Sequence, residues 1–132
     1  TQAMAAGKTG NTIFTAAVAT ASAEGLAPTL YSHPLGTYGH GAGPTIGMYD
    51  DQRPVPVKGD YKVQKGTCYA LELNIHGPLP AWDGQDVYIY LEEDICCHDT
   101  PHYIRGRQTA PPLPFDGPCR RDTLASRVQD AF

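Results

Sequence analysis

Apolar residues recur along this chain with two different periods, and the change from one to the other marks out its elements. From Asn11 to Glu24 the positions Ile13, Phe14, Ala17, Val18 and Ala21 repeat at helical spacing. Asn11 or Thr9 is able to cap the start, and Gly25 suits the C-terminal end. This pattern predicts one amphipathic helix whose role is packing. Residues 1–8 read as the end of a helix or a linker, stopped at Gly7. The stretch from Leu26 to Leu35 is short, partly β-branched or aromatic, and leads into a glycine-rich segment.

Two runs further on switch to period 2. In Tyr69-Ala-Leu-Glu-Leu-Asn-Ile75 the residues Tyr69, Leu71, Leu73 and Ile75 share one face, and Ala70, Glu72 and Asn74 share the other. In the run from Val87 to Ile95, Val87, Ile89 and Leu91 point one way, while Tyr88, Tyr90 and Glu92 point the opposite way. Each strand therefore carries a carboxylate on the face away from its aliphatic stripe. His76 to Gly84 between them reads as a turn-rich connection with Trp82 as a packing anchor, and Tyr103 to Thr109 as a last short strand. Residues 50–66, with Arg53-Pro-Val-Pro and Lys58-Gly-Asp, read as a long surface connection. The stretch Pro111-Pro-Leu-Pro-Phe and the charged tail from Arg120 place residues 110–132 outside the core.

Composition narrows the class. A chain of 132 residues is long enough for one domain and small for two. The formal charge is -4 with signs interspersed, so no basic face is expected and nucleic acid is excluded as a partner. No run reaches the roughly 18 apolar residues of a membrane span, and nothing at the start reads as a signal peptide. The first residue is Thr1, so the N-terminus reads as a processing site or a break in a longer protein. The cysteines at 68, 96, 97 and 119 match neither a disulfide scaffold nor a zinc ribbon, and reduced thiols in a cytoplasmic setting are expected. Cys96-Cys97-His98 reads as the end of a strand with two small buried side chains, because adjacent thiolates chelate one tetrahedral ion poorly.

The candidate chemistry centres on residues 31–50, where His33 and His40 are set among glycines at 36, 39, 41, 43 and 47. Those glycines clear side chains from around both rings, so the backbone can turn sharply and a substrate can approach. Taken alone, Glu72 and Glu92 are solvent-facing acids on a half-exposed sheet, and each His is an ordinary surface or core residue. Taken together, two Glu and one or two His on neighbouring strands form a ligand set suited to Mn²⁺, Zn²⁺, Co²⁺ or Fe²⁺. A cation would also remove the repulsion between the two carboxylates.

Three motifs in order resemble the pita-bread metallopeptidases, the group containing methionine aminopeptidase, aminopeptidase P and prolidase. His33-Pro-Leu-Gly-Thr-Tyr-Gly-His40 is similar to the His-x-Leu-Gly-x-x-x-His element of the proline-specific members. Tyr69-Ala-Leu-Glu72 resembles the strand ending in a metal-binding Glu, and Ile89-Tyr-Leu-Glu-Glu-Asp-Ile95 the strand that supplies the last one. The resemblance covers residues 1–109. It implies an α+β chain forming half of a pita-bread fold, a curved antiparallel sheet with helices on one face. It further implies metal-dependent hydrolysis of N-terminal peptide bonds, in particular Xaa-Pro. His33 and Glu72 would ligate one of two divalent ions (Mn, Zn or Co), Glu92 would bridge both, His40 would face the substrate carbonyl, and Glu72 would handle the proton of the attacking water.

Departures from the family pattern are equally specific. The family's dinuclear site also uses two Asp from a preceding hairpin, and no acid occurs here before Glu24. Tyr90 stands where many proline-specific members have Arg, and Leu73 where many have Pro. A half-domain would expose an apolar seam, so self-association or a segment supplying the other half is expected. The alternative is a catalytically inactive half acting as a binding or assembly module.

Overall fold

The computed structural model describes residues 3–106. Its elements are helix α1 (Gly10–Ala23) and strands β1 (Ala27–Pro34), β2 (Thr67–Leu79), β3 (Gln85–Cys97) and β4 (Pro101–Tyr103). The architecture is α+β: one antiparallel sheet in the order β1-β2-β3-β4, with the helix against one face.

The helix begins and ends as its sequence dictates. Thr9 is extended and its side chain accepts from the Thr12 amide, satisfying one of the first-turn donors. At the other end Gly25 takes φ +73, the Leu26 amide donates to the Ala21 carbonyl and the Gly25 amide donates to Ser22. That is a Schellman cap, and the accompanying apolar contact is supplied by Ala21 and Leu26, which pack with Ile75. The helical stripe of Ile13, Phe14 and Ala17 is buried against Leu30, Tyr69 and Ile95, with Leu71 and Leu73 beside them. The aliphatic face of the sheet is thus the covered one.

Both central strands are longer than their alternating stretches. β2 and β3 pair from Thr67↔Cys97 to Leu79↔Gln85, and a short 3-10 turn, Pro80–Trp82, closes the hairpin. The expected turn at His76 is therefore strand, and Trp82 is not an anchor: it is 48% exposed. The core ends near Ile75 and Ile89, so the hairpin tip carries nothing to pack the indole against. The last strand likewise lies earlier than expected, at Pro101–Tyr103, and residues 107–109 are outside the described residues, as is the extension 110–132. Residues 3–8 are not helical; Met4 is 2% exposed in the core, and the Gly7 amide donates to Val63.

The connection 50–66 is more than a surface link. Asn11 Nδ2 donates to the Val55 carbonyl and its Oδ1 accepts from the Val55 amide, while the Asn11 amide donates to Gly59 and the Val63 amide to Lys8. This clamps the connection to the start of α1 and buries Val63. The outer edge of β1 is also closed: Ser32 exchanges both backbone bonds with Ile46, and the Leu30 amide donates to the Gln52 side chain.

One core group is unsatisfied. The Tyr69 ring is fully buried and its hydroxyl has no hydrogen-bond partner among the described residues; burial pushes its pKa well above the ordinary tyrosine range. An unpaired buried hydroxyl costs on the order of 1–3 kcal/mol. Tyr69→Phe is expected to leave stability unchanged or raise it by about 1 kcal/mol in urea unfolding, and a loss above about 1 kcal/mol would mean that the hydroxyl is paired.

Candidate functional site

The face of the sheet opposite α1 carries the residues expected in the site. Register places Tyr31 beside Glu72, His33 beside Ala70, Glu72 beside Glu92 and Asn74 beside Tyr90. Period 2 then puts Tyr31, His33, Glu72, Asn74, Tyr90 and Glu92 on one side. The glycine-rich segment leaves β1 at Pro34, folds back and returns to β1 at Ile46, which sets His40 over the end of the strand.

His33 has neighbours at both ring nitrogens and on its face. Its ring is largely buried, stacks on His40 with centroids 4.0 Å apart at 17°, and has Tyr31 at 5.2 Å on another side. Its Nε2 lies 2.9 Å from Glu72 Oε1, and its Nδ1 lies 3.1 Å from the Pro34 carbonyl oxygen. A carbonyl only accepts, so Nδ1 carries a hydrogen and donates. The same carbonyl also accepts from the Gly41 amide at 2.7 Å, tying the loop and the ring to one atom. Nε2 of a neutral ring would then direct a lone pair at a carboxylate. A cation held by both groups would turn the repulsion of lone pair and carboxylate into attraction.

Glu72 and Glu92 form the second feature. The Asp94 carbonyl accepts from Ile104 on the β4 side, so alternate residues of β3, Glu92 among them, turn their backbone groups away from β2. Glu72 and Glu92 are hence a non-hydrogen-bonded pair, the type with Cα atoms about 4.5 Å apart and side chains closest. Like charges so placed destabilise a sheet. Glu92→Gln is therefore expected to raise the stability of the ion-free chain by about 0.2–1 kcal/mol, an effect that shrinks with added salt. A loss of stability in low salt would show that Glu92 has an attractive partner instead.

A groove of about 380 Å³ runs across this region, lined among others by Tyr31, Tyr49, Tyr90, Asn74, Glu72 and Glu92. Burial first, and then the Glu72 charge, raise the Tyr31 pKa, so its hydroxyl is a neutral donor near pH 7. Tyr31 was not singled out from the sequence, although its place two residues before His33 puts it on the same face of β1. Tyr49 was not legible, because only the fold of the glycine-rich segment brings its ring to 6.4 Å from Tyr31.

Of the residues expected in the site, His33, Glu72 and His40 are drawn together, and Glu92 stands directly across from Glu72. Imidazole and carboxylate are donors of the type that divalent cations take, and the other nitrogen of the His33 ring lies against a backbone carbonyl, as in ligating histidines. Among the described residues no group of three or more His, Cys, Asp or Glu side chains is arranged to hold a metal ion. No helix among them is long and apolar enough to cross a membrane. No family model, curated protein or solved structure matches the chain.

Proposed function

We propose that this chain contributes one wall of a metal-dependent peptidase site that hydrolyses N-terminal peptide bonds of the Xaa-Pro type, on half of a pita-bread fold. The observation that carries the reading is the His33–Glu72 contact, with the other ring nitrogen committed to the Pro34 carbonyl. Three separate segments, carrying His33 with His40, Glu72 and Glu92, lie on the sheet face opposite α1. His33, Glu72 and Glu92 would hold the divalent ions, with further carboxylates coming from a second copy or another segment. Such ions supply Lewis acidity and lower the pKa of water. Glu72 takes the proton of the attacking water, and His40, exposed above His33, donates to the substrate's carbonyl oxygen. The tyrosine-lined groove holds the peptide. The same groove also favours a second reading, a module that binds a peptide without cleaving it, since Tyr49 and Tyr90 are 72% and 71% exposed and ready to pack on a partner.

The direct test is hydrolysis of Xaa-Pro dipeptides and tripeptides by the full chain with Mn²⁺ or Zn²⁺ present. Turnover that chelator abolishes and His40→Ala reduces about 10²-fold or more supports the peptidase. Saturable peptide binding with no cleavage, unchanged by His40→Ala, supports the binding module instead.

A further inference from the structure

Four residues along each strand from the Glu72–Glu92 pair, the same face carries Cys68 directly opposite Cys96. Neither thiol has a part in the proposed hydrolysis. The pair has the backbone relation of Glu72 and Glu92. The Cys68 carbonyl accepts from the Leu35 amide on the β1 side, and alternate residues of β3 face β4, so no backbone hydrogen bond joins the two cysteines. Cα atoms in such pairs are about 4.5 Å apart, inside the roughly 4.4–6.8 Å span that a disulfide bridges without backbone movement.

The two side chains face one another across the pair. Interaction with Cys96, ahead of burial and of the Asp94 charge, raises the Cys68 pKa. Both are free and half-buried, so a small oxidant reaches them. His102 stands opposite Cys96 on β4, exposed, where an imidazole can accept the thiol proton. Cys97 is the internal contrast. It points into the core, is 1% exposed, and burial pushes its thiol up to about 11. Adjacent in sequence, Cys96 and Cys97 are thus separated by the sheet itself.

We propose that Cys68 and Cys96 are a redox-modification site, a cross-strand dithiol that a hydroperoxide closes to a disulfide. Cys96 loses its proton to His102 and its sulfur attacks the terminal peroxide oxygen; the O–O bond breaks, the alcohol or water leaves, and Cys96 becomes a sulfenic acid. Cys68 sulfur then attacks Cys96 sulfur, the S–S bond forms and water departs. Overall, two thiols and one hydroperoxide give one disulfide, one alcohol (or water) and one water. The new bond staples β2 to β3 beside the two glutamates and closes the loop that contains them both, so oxidation rigidifies the hairpin on which the site is built.

The test is mass spectrometry of the full chain after treatment with hydrogen peroxide, with differential alkylation and peptide mapping. A loss of about 2 Da, a Cys68–Cys96 linked peptide, reversal by dithiothreitol and a higher Tm for the oxidised form are expected. In Cys68→Ser the sulfenic acid at Cys96 should persist and label with dimedone, whereas Cys97→Ser should oxidise like the parent. The proposal is overturned if Cys68 and Cys96 both remain alkylatable under treatment that oxidises free cysteine, or if the linked peptide contains Cys97 or Cys119 in place of either.

Discussion

Replacing Gly47 with alanine is expected to cost about 3 kcal/mol or more, lowering Tm by about 15 °C in a domain of this size. Two costs combine. Gly47 holds φ +69, a conformation that costs an L-residue about 1–2 kcal/mol. A Cβ there would also strike the Leu30 carbonyl oxygen and lie 2.8 and 2.9 Å from two ring carbons of Phe14. Phe14 is 4% exposed under the sheet and has no room to withdraw, so the overlap adds an overpacking cost of about 1–3 kcal/mol. Gly39→Ala is the control: φ is +87 but the added Cβ meets nothing within 4 Å, so only the backbone cost applies. Equal losses for the two variants in urea unfolding would contradict the close packing of the glycine-rich segment on α1. The position bears on function because this packing is what returns the segment to β1 and keeps His40 over His33.

In the proposed peptidase, replacing Glu72 with glutamine is expected to have the largest effect on activity. Glutamine keeps the size of the side chain and can still hydrogen-bond, but it carries no charge and accepts no proton. Loss of a general base alone lowers kcat/KM about 10²–10⁴-fold, and loss of an anionic ligand to the cation adds to this. Stability should change by less than about 1 kcal/mol, because the substitution removes the attraction to His33 and the repulsion from Glu92 together. A fall in activity accompanied by unfolding would point to a structural role. Unchanged hydrolysis of Xaa-Pro peptides would remove Glu72 from the mechanism.

Much of the site's face could be read from the chain because alternation is a strong signal when one side is aliphatic. Leu71, Leu73 and Ile75, and then Ile89 and Leu91, determine which way Glu72 and Glu92 must point. Extent was less legible. His76-Gly77-Pro78 looks like the end of a strand, yet pairing continues through Pro78↔Asp86. Even-numbered residues of β2 direct their backbone groups toward β1, and β1 starts at Ala27, opposite His76. Pro78 therefore sits where no neighbour asks for its missing N–H, and the strand tolerates it. The clamp of Asn11 on Val55 and Gly59 was illegible for another reason: it joins residues 44 apart through one amide side chain, with no periodic pattern to announce it. The His33 ring geometry was legible in its partner, Glu72, but the Pro34 carbonyl that fixes its Nδ1 emerges only from the folded loop.

The central claim, that His33 and Glu72 jointly hold a cation, is tested most directly by ¹⁵N-resolved NMR of the five histidine side chains during Zn²⁺ titration of the full chain. This readout detects weak binding, so it does not depend on whatever completes the site. The expected result is a saturable shift of His33 Nε2, with Nδ1 remaining protonated, that disappears in Glu72→Gln. The contradictory result is a His33 ring whose Nε2 does not respond to Zn²⁺, or one that responds equally in Glu72→Gln.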